Sequence, residues 1–156
     1  MNRKNKAESK IYLRDGRSPL PKHEVTSRIM SSIRAKNTTP EIALRKSLML
    51  YDLSGYRLHW KNVPGRPDIC YPKKKLAIFV NGCYWHRCPK CKPDFPKSHK
   101  RFWQEKFSRN VDRDRKKVRQ LRKMGWSVIT VWECDIEKRI NSVVRRIAKK
   151  YAAIKR

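Results

Sequence analysis

Two short apolar runs separated by a long helical stretch constrain the fold of this chain more than any other feature. Residues 76–80 (LAIFV) and 126–132 (WSVITVW) are predicted strands, and residues 98–124 between them carry apolar side chains at helical spacing. A helix that joins two strands of one sheet makes them parallel through a right-handed crossover. We expect the two strands to be neighbours whose carboxyl ends face one edge, where open α/β sheets place their functional sites.

The remaining pattern predicts an arm followed by one small α/β domain. Residues 1–22 are polar and basic with no apolar period, and we interpret them as a flexible basic arm. A single domain at 23–156 follows. Its other predicted elements are helices at 23–34, 39–52 and 136–154 and strands at 56–60 and 67–71.

The charge balance indicates a polyanionic partner. The 156 residues include 41 Lys and Arg against 13 Asp and Glu, which gives a net charge of +28. Such a positive field favours nucleic acid, although charge alone does not separate DNA from RNA or from an anionic membrane. No apolar run approaches the roughly 20 residues that cross a bilayer, and the first residues lack the apolar stretch of a signal peptide. We therefore expect a cytoplasmic protein with no membrane partner.

Four of the five cysteines are predicted to form a structural zinc site. Three are clustered and the fourth follows the second strand of the crossover; they are Cys83, Cys88, Cys91 and Cys134. Four thiolates suit one tetrahedral zinc ion, and the Pro- and Lys-rich loop at about residues 82–100 needs an ion to hold its shape. Free core cysteines are the alternative, and His86 and His99 are rival ligands. Cys70 is left over.

Two carboxylates are candidate catalytic residues. Asp68 follows Gly65-Arg-Pro at a predicted strand, and a carboxylate there in so basic a chain is a candidate Mg²⁺ ligand for phosphodiester cleavage. A Pro-Asp pair alone is also typical of a capped turn. Glu41 shares a helix face with Leu44, Leu48 and Tyr51, so it is either a helix-end charge or an inward-facing active-site residue.

Two further acids lie on the long predicted helix. Asp112 and Asp114 are surrounded by basic residues, and we expect them to form ion pairs rather than to bind metal. Asp114 falls near the apolar stripe of that helix, so a partly buried carboxylate there needs a partner.

Three motifs in order resemble one enzyme family. They are Gly65-Arg-Pro-Asp68, Phe79-x-x-Gly-Cys-Tyr-Trp-His86 and Val131-Trp-Glu-Cys134, with further matches at Trp103, Lys106 and residues 110–115. From about Thr26 to Cys134 the chain resembles the very-short-patch-repair (Vsr) DNA mismatch endonucleases. The resemblance implies an α/β fold of the restriction-endonuclease-like class (a variant PD-(D/E)XK fold), with a mixed sheet flanked by helices and a structural zinc loop.

The resemblance also implies an activity. The family nicks one DNA strand 5′ to the thymine of a T:G mismatch, as left by deamination of 5-methylcytosine, with Mg²⁺ as cofactor. Asp68 and the main-chain carbonyl of Val80 would bind Mg²⁺. Nucleases of this class usually carry an acidic residue, a spacer and a lysine on the strand after the aspartate, and strand 76–80 lacks that pair. The Val80 carbonyl would take the place of the missing acidic ligand. His86 would act near the attacking water or the departing oxygen, and Glu41 would support the site. Asn81 stands where the family often has a histidine, and its amide can hydrogen-bond but not exchange a proton.

DNA-contacting residues follow from the same resemblance. Three aromatic side chains would intercalate from the major groove: Tyr84, Trp85 and Trp103. Met30 and Ile33 would approach from the minor groove. Lys106 and Asn110 would contact the mismatched bases. From residue type alone, core packing explains the aromatic residues equally well.

Two other functions stay open. A restriction-type endonuclease of the same fold would cut both strands of unmodified DNA. A noncatalytic zinc module would bind DNA or RNA but would leave Glu41, Asp68 and His86 without roles. With the mismatch endonuclease we associate a monomer, a location at the nucleoid, and mismatch-repair proteins as candidate partners.

Overall fold

The structure, a computed structural model, describes residues 36–154 of the chain. Its elements are α1 (Thr39–Leu50), β1 (Arg57–Leu58), β2 (Ile69–Tyr71), a 3₁₀ turn (Pro72–Lys74), β3 (Leu76–Asn81), α2 (Lys100–Lys123), β4 (Ser127–Trp132) and α3 (Glu133–Ala153). The expected arm, the expected helix at 23–34, and Met30 and Ile33 within it lie outside the described residues. Between 36 and 154, no helix combines the length and apolar character that crossing a membrane requires.

The four strands form one mixed sheet in the order β1-β2-β3-β4. The first two pairings are antiparallel, and β3 pairs with β4 in parallel, from Leu76 opposite Ser127 to Asn81 opposite Trp132. The predicted parallel crossover through α2 is therefore confirmed. Both central strands end at the same edge of the sheet.

Helices cover both faces of the sheet because the side chains of β3 alternate. On one face, Ile78 joins a core with Leu44 and Leu48 of α1 and with Ile147 of α3. On the other face, Ala77 and Phe79 belong to a second core that includes Leu121 of α2 and Trp126. This alternation explains why the run at 76–80 is apolar at every position.

Some element boundaries differ from the sequence-based expectation. Tyr51 follows the end of α1 and is 39% exposed, so its predicted place on the buried face was wrong. The expected strand at 56–60 contracts to β1, because His59 takes a left-handed backbone with φ 45° that a strand cannot continue. The last helix begins at Glu133 rather than at Ile136, directly after β4.

The buried face of α1 gives a stability prediction. Leu44 is 0% exposed and Leu50 on the same helix is 85% exposed. We expect Leu44→Ala to lower the free energy of unfolding by about 2–5 kcal/mol, because it removes buried methyl groups and leaves a cavity. Leu50→Ala should change it by less than about 0.5 kcal/mol. Urea unfolding followed by circular dichroism measures both, and equal losses would contradict this packing.

Candidate active site

Asp68 lies at the edge of the sheet, immediately before β2. One oxygen of its carboxylate accepts a hydrogen bond of 2.8 Å from the backbone N–H of Val80. Val80 is available because β2 pairs with β3 only as far as Ile78. Burial raises the pKa of Asp68 and the neighbouring Glu41 adds to this, while the Val80 N–H and the charges of His59 and His86 act in the opposite direction. The carboxylate is thus fixed in a site that disfavours its negative charge unless a cation is near.

His59 lies between Asp68 and Glu41. Its Nδ1 is 3.6 Å from Asp68 Oδ1, and its Nε2 is 3.5 Å from Glu41 Oε2. The backbone N–H of His59 also donates to the carbonyl of Asp68, at 3.3 Å. No sequence motif singles out His59. The pairing register of the β1–β2 hairpin could have indicated it. Leu58 pairs with Ile69, so the next residue, His59, lies opposite Asp68.

Glu41 is buried and held by several donors. Its carboxylate accepts hydrogen bonds from the backbone N–H of Asn37, from Thr38 Oγ1 and from Arg45, at 3.1, 3.0 and 3.0 Å. A Glu three residues after the N-cap Thr38 is the capping-box position. Glu41 therefore stabilises the start of α1, and its carboxylate also faces His59.

The Glu41, His59 and Asp68 side chains fit a divalent cation. One ligand atom from each lies within 4.8 Å of the other two. Two carboxylates and an imidazole are common cation ligands, and His59 Nε2 is a buried atom without a hydrogen-bond partner. Asn81, the other predicted polar residue at this edge, ends β3 opposite Trp132 and is half-buried.

His86 is hydrogen-bonded to a carboxylate on α2. Its Nδ1 contacts Asp114 Oδ2, and Asp114 Oδ1 accepts a bond of 3.2 Å from Lys117. Burial acts to raise the pKa of Asp114, but the hydrogen bonds and charges of His86 and Lys117 outweigh it and hold this pKa below its usual value. The expected pairing of Asp114 is confirmed. Asp112 is paired as well, with Arg115 at 3.9 Å on the surface.

The four clustered cysteines meet at the end of β3 and β4. All four sulfurs lie within 4.8 Å of one another, with Cys88 and Cys134 at 3.9 Å and Cys83 and Cys91 at 3.7 Å. Four thiolates at about 2.3 Å from a tetrahedral zinc lie about 3.8 Å apart, so the spacing fits zinc. The cluster does not include the rival ligands His86 and His99. Cys70 is separate and buried in the core, where burial raises its pKa to about 12.

The predicted DNA-contacting residues of the described part form one aromatic group. The rings of Tyr84 and Trp85 lie 5.1 Å apart, and Trp103 is 6.2 Å from Trp85. Lys106 Nζ lies 4.9 Å from the centre of the Trp103 ring, and Asn110 donates to the Trp85 carbonyl at 3.2 Å. Trp103 is buried, whereas Tyr84 and Trp85 are half-buried. The structure therefore gathers these five residues beside the cysteine cluster.

Comparisons with known proteins agree with this arrangement. Residues 21–92 match the family model described as DNA mismatch endonuclease Vsr. The type II nicking enzyme V.NmeAIP of Neisseria meningitidis is 39% identical over 76% of this chain and 89% of its own length. The DNA mismatch endonuclease Vsr of Escherichia coli is 34% identical over 72% of each chain.

A solved structure supports the same fold. The catalytic domain of the homing endonuclease I-Bth0305I is 28% identical, with a TM-score of 0.50 over 74% of this chain and 96% of that domain. The expected nuclease fold, a mixed sheet flanked by helices with a cysteine cluster able to hold zinc, is confirmed. Its fold resembles that of a nuclease catalytic domain, and by sequence this chain belongs to the Vsr family of DNA endonucleases.

Proposed function

We propose that this endonuclease nicks one strand of double-stranded DNA 5′ to the thymine of a T:G mismatch, in a reaction that requires Mg²⁺. The observation that carries the proposal is the Asp68 carboxylate, oriented by the Val80 N–H at the sheet edge that also bears His59. The names of the relatives support each half of it. One is a DNA mismatch endonuclease and another is a nicking enzyme.

Each proposed catalytic residue has a separate role in the reaction. A Mg²⁺ ion held by Asp68 and the carbonyl of Val80 would polarise the scissile phosphate and stabilise the leaving oxygen. The Asp114 carboxylate holds His86 through Nδ1, which leaves Nε2 to exchange a proton with the attacking water or the departing oxygen. Asn81 offers a hydrogen bond to water or phosphate but no proton transfer.

Mismatch selectivity would come from the aromatic group. Tyr84, Trp85 and Trp103 would wedge between base steps, which costs a few kcal/mol of unstacking and least at a mispaired step. Lys106 and Asn110 would contact the mismatched bases. Asn110 donates to the Trp85 carbonyl, so the amide that would contact the bases is held next to a ring that would wedge between them. Met30 and Ile33 are proposed to approach from the minor groove.

A nick in one strand needs only one active site, so we propose a monomer. A net charge of +28 favours residence on chromosomal DNA at the nucleoid, where mismatch-repair proteins are the candidate partners. The second candidate function is a restriction-type endonuclease, which would need paired active sites to cut both strands. A noncatalytic module is a poorer description of a chain in an endonuclease family.

The first test of this function removes the charge of Asp68. We expect Asp68→Asn to lower the rate of nicking of a T:G duplex about 10²–10³-fold, because the amide cannot hold the cation. Asp52→Asn, at an exposed position with φ 55°, is the matched control and should nick at the wild-type rate. The measurement uses end-labelled T:G and T:A duplexes with Mg²⁺.

Two outcomes of this assay would contradict the proposal. Cleavage of both strands of the T:A duplex would favour the restriction-type function. Equal nicking by wild type and Asp68→Asn would remove Asp68 from the active site.

The Asp114 pairing gives a pH prediction. Folding lowers the pKa of the Asp114 carboxyl. Such a group stabilises the folded protein at pH values above its pKa in the unfolded state, which is about 4. The contribution is lost as the pH falls through the lower pKa of the folded state. We expect Asp114→Asn to be less stable than wild type at pH 5.5, with the difference shrinking below about pH 4. Urea unfolding at each pH measures it. The control Asp112→Asn, whose side chain is 67% exposed, should show little difference at either pH.

The thiolate cluster gives a prediction for metal content. Purified wild-type protein should contain one zinc per chain by mass spectrometry of the metals. Cys134→Ser should lose most of it in the presence of a competing chelator, because three thiolates leave one position open to water. Cys70→Ala, outside the cluster, should keep the full zinc content. Equal retention by both variants would exclude Cys134 as a ligand.

A further inference from the structure

We propose that His59 Nδ1 is an additional ligand of the catalytic cation and that Glu41 orients the His59 ring through Nε2. The site would then offer both nitrogen and oxygen, and it would bind a first-row ion such as Mn²⁺ more tightly than Mg²⁺. The inference rests on the proposed function, since Asp68 is the ligand that both share. It adds a residue that neither the motifs nor the names of the relatives assign.

The contact between His59 and Asp68 is too long for a hydrogen bond and slightly longer than the spacing of two ligands of one ion. Nδ1 and Oδ1 are 3.6 Å apart, beyond the normal range for an N–H donor and a carboxylate. Two atoms that each lie about 2.1 Å from one ion are roughly 3.0–3.4 Å apart. A small approach of the ring therefore suffices for both atoms to bind the same ion.

The second nitrogen of the ring supports the same assignment. Nε2 is buried, has no hydrogen-bond partner and lies 3.5 Å from Glu41 Oε2. Histidine ligands almost always donate their other N–H to a carboxylate or carbonyl, which fixes the ring and its tautomer. Glu41 suits this role because Arg45, Thr38 and Asn37 already hold its carboxylate in place.

The backbone conformation of His59 holds its side chain next to Asp68. β1 ends at Leu58, and His59 takes a left-handed conformation with φ 45°, which is uncommon for a side chain of this size. Its N–H still donates to the Asp68 carbonyl, so the two residues are tied together through the backbone.

The chemistry of imidazole sets the metal preference. Mn²⁺ also binds carboxylate oxygen, but as a first-row transition ion it accepts an imidazole nitrogen more readily than Mg²⁺, which prefers oxygen ligands and keeps its waters. Removing the His59 nitrogen should therefore weaken Mn²⁺ binding much more than Mg²⁺ binding. An imidazolium that merely bridges two carboxylates would predict no such difference.

The test is Mn²⁺ binding to the full, zinc-loaded chain without DNA. Mn²⁺ affinity is measured by electron paramagnetic resonance, Mg²⁺ affinity by competition, and a directly bound nitrogen by pulsed spin-echo modulation. The main variant is His59→Asn, because asparagine accepts a left-handed backbone and offers an oxygen; His59→Ala is the second. The controls are His99→Ala on the surface and His86→Ala, the other nearby imidazole.

We expect wild type, His99→Ala and His86→Ala to show the nitrogen modulation and both His59 variants to lose it. Mn²⁺ affinity should fall at least about tenfold in His59→Asn, with a smaller loss for Mg²⁺. Glu41→Gln should keep the modulation and bind Mn²⁺ about 10–100-fold more weakly.

The failures of the two proposals are distinguishable. If His59→Asn and His59→Ala keep the wild-type modulation and affinity while Asp68→Asn loses Mn²⁺, the inference about His59 is overturned and the proposed function stands. Loss of modulation in His86→Ala alone would assign the nitrogen to His86 and also overturn the inference. If Asp68→Asn binds Mn²⁺ as wild type does, the proposed cation site itself is wrong.

Discussion

The parallel pairing of β3 with β4 is the constraint on which the rest of this structure depends. Six residues of each strand are paired, and the two strands end side by side at Asn81 and Trp132. Because the chain continues from one end into the cysteine loop and from the other into α3, residues about 50 positions apart become neighbours. Glu133 Oε2 accepts the N–H of Cys83, and the N–H of Cys134 faces the Cys83 sulfur. The same edge of the sheet therefore carries the cysteine cluster. Asp68 lies at this edge too, on the side formed by β2 and β3.

Two acidic residues are paired inside the molecule, where each carboxylate contacts positively charged or imidazole side chains. In the part of the chain that the structure describes, Glu41 and Asp135 are the buried charged residues. Glu41 faces His59, and Asp135 accepts from Lys90 of the cysteine loop and from Arg139 of α3. The large excess of Lys and Arg makes a cationic or imidazole partner available for each buried carboxylate. An unpaired buried charge would be costly, so these pairs also fix where the loop and the helices lie.

Sequence reasoning succeeded where a repeating pattern or a topological rule decides the structure. The apolar runs at 76–80 and 126–132 required a crossover, and the crossover required Cys134 to meet the other cysteines. Sequence reasoning failed where a single backbone conformation determines which side chains meet. The hairpin register places His59 opposite Asp68, but its ring faces both Asp68 and Glu41 from a left-handed residue just beyond β1, and no sequence pattern indicated that conformation. The need of Asp114 for a partner was predictable from its place near the apolar stripe. Its bond to His86, 28 positions away, was not.

The cysteine cluster holds a very short piece of chain that carries both proposed DNA-contacting residues and a proposed catalytic residue. Tyr84, Trp85 and His86 all lie between the first two cysteines, where the N–H of His86 donates to the Gly82 carbonyl and the N–H of Cys88 to that of Cys83. In the proposed function, insertion of Trp85 between bases would pull on the adjacent His86, whose ring is hydrogen-bonded to Asp114 on α2. Asn110, also on α2, holds the Trp85 carbonyl. The loop is thus held by the cysteine cluster on one side and by α2 on the other, so the same contacts position the aromatic residues proposed to meet DNA and the imidazole proposed to act in catalysis.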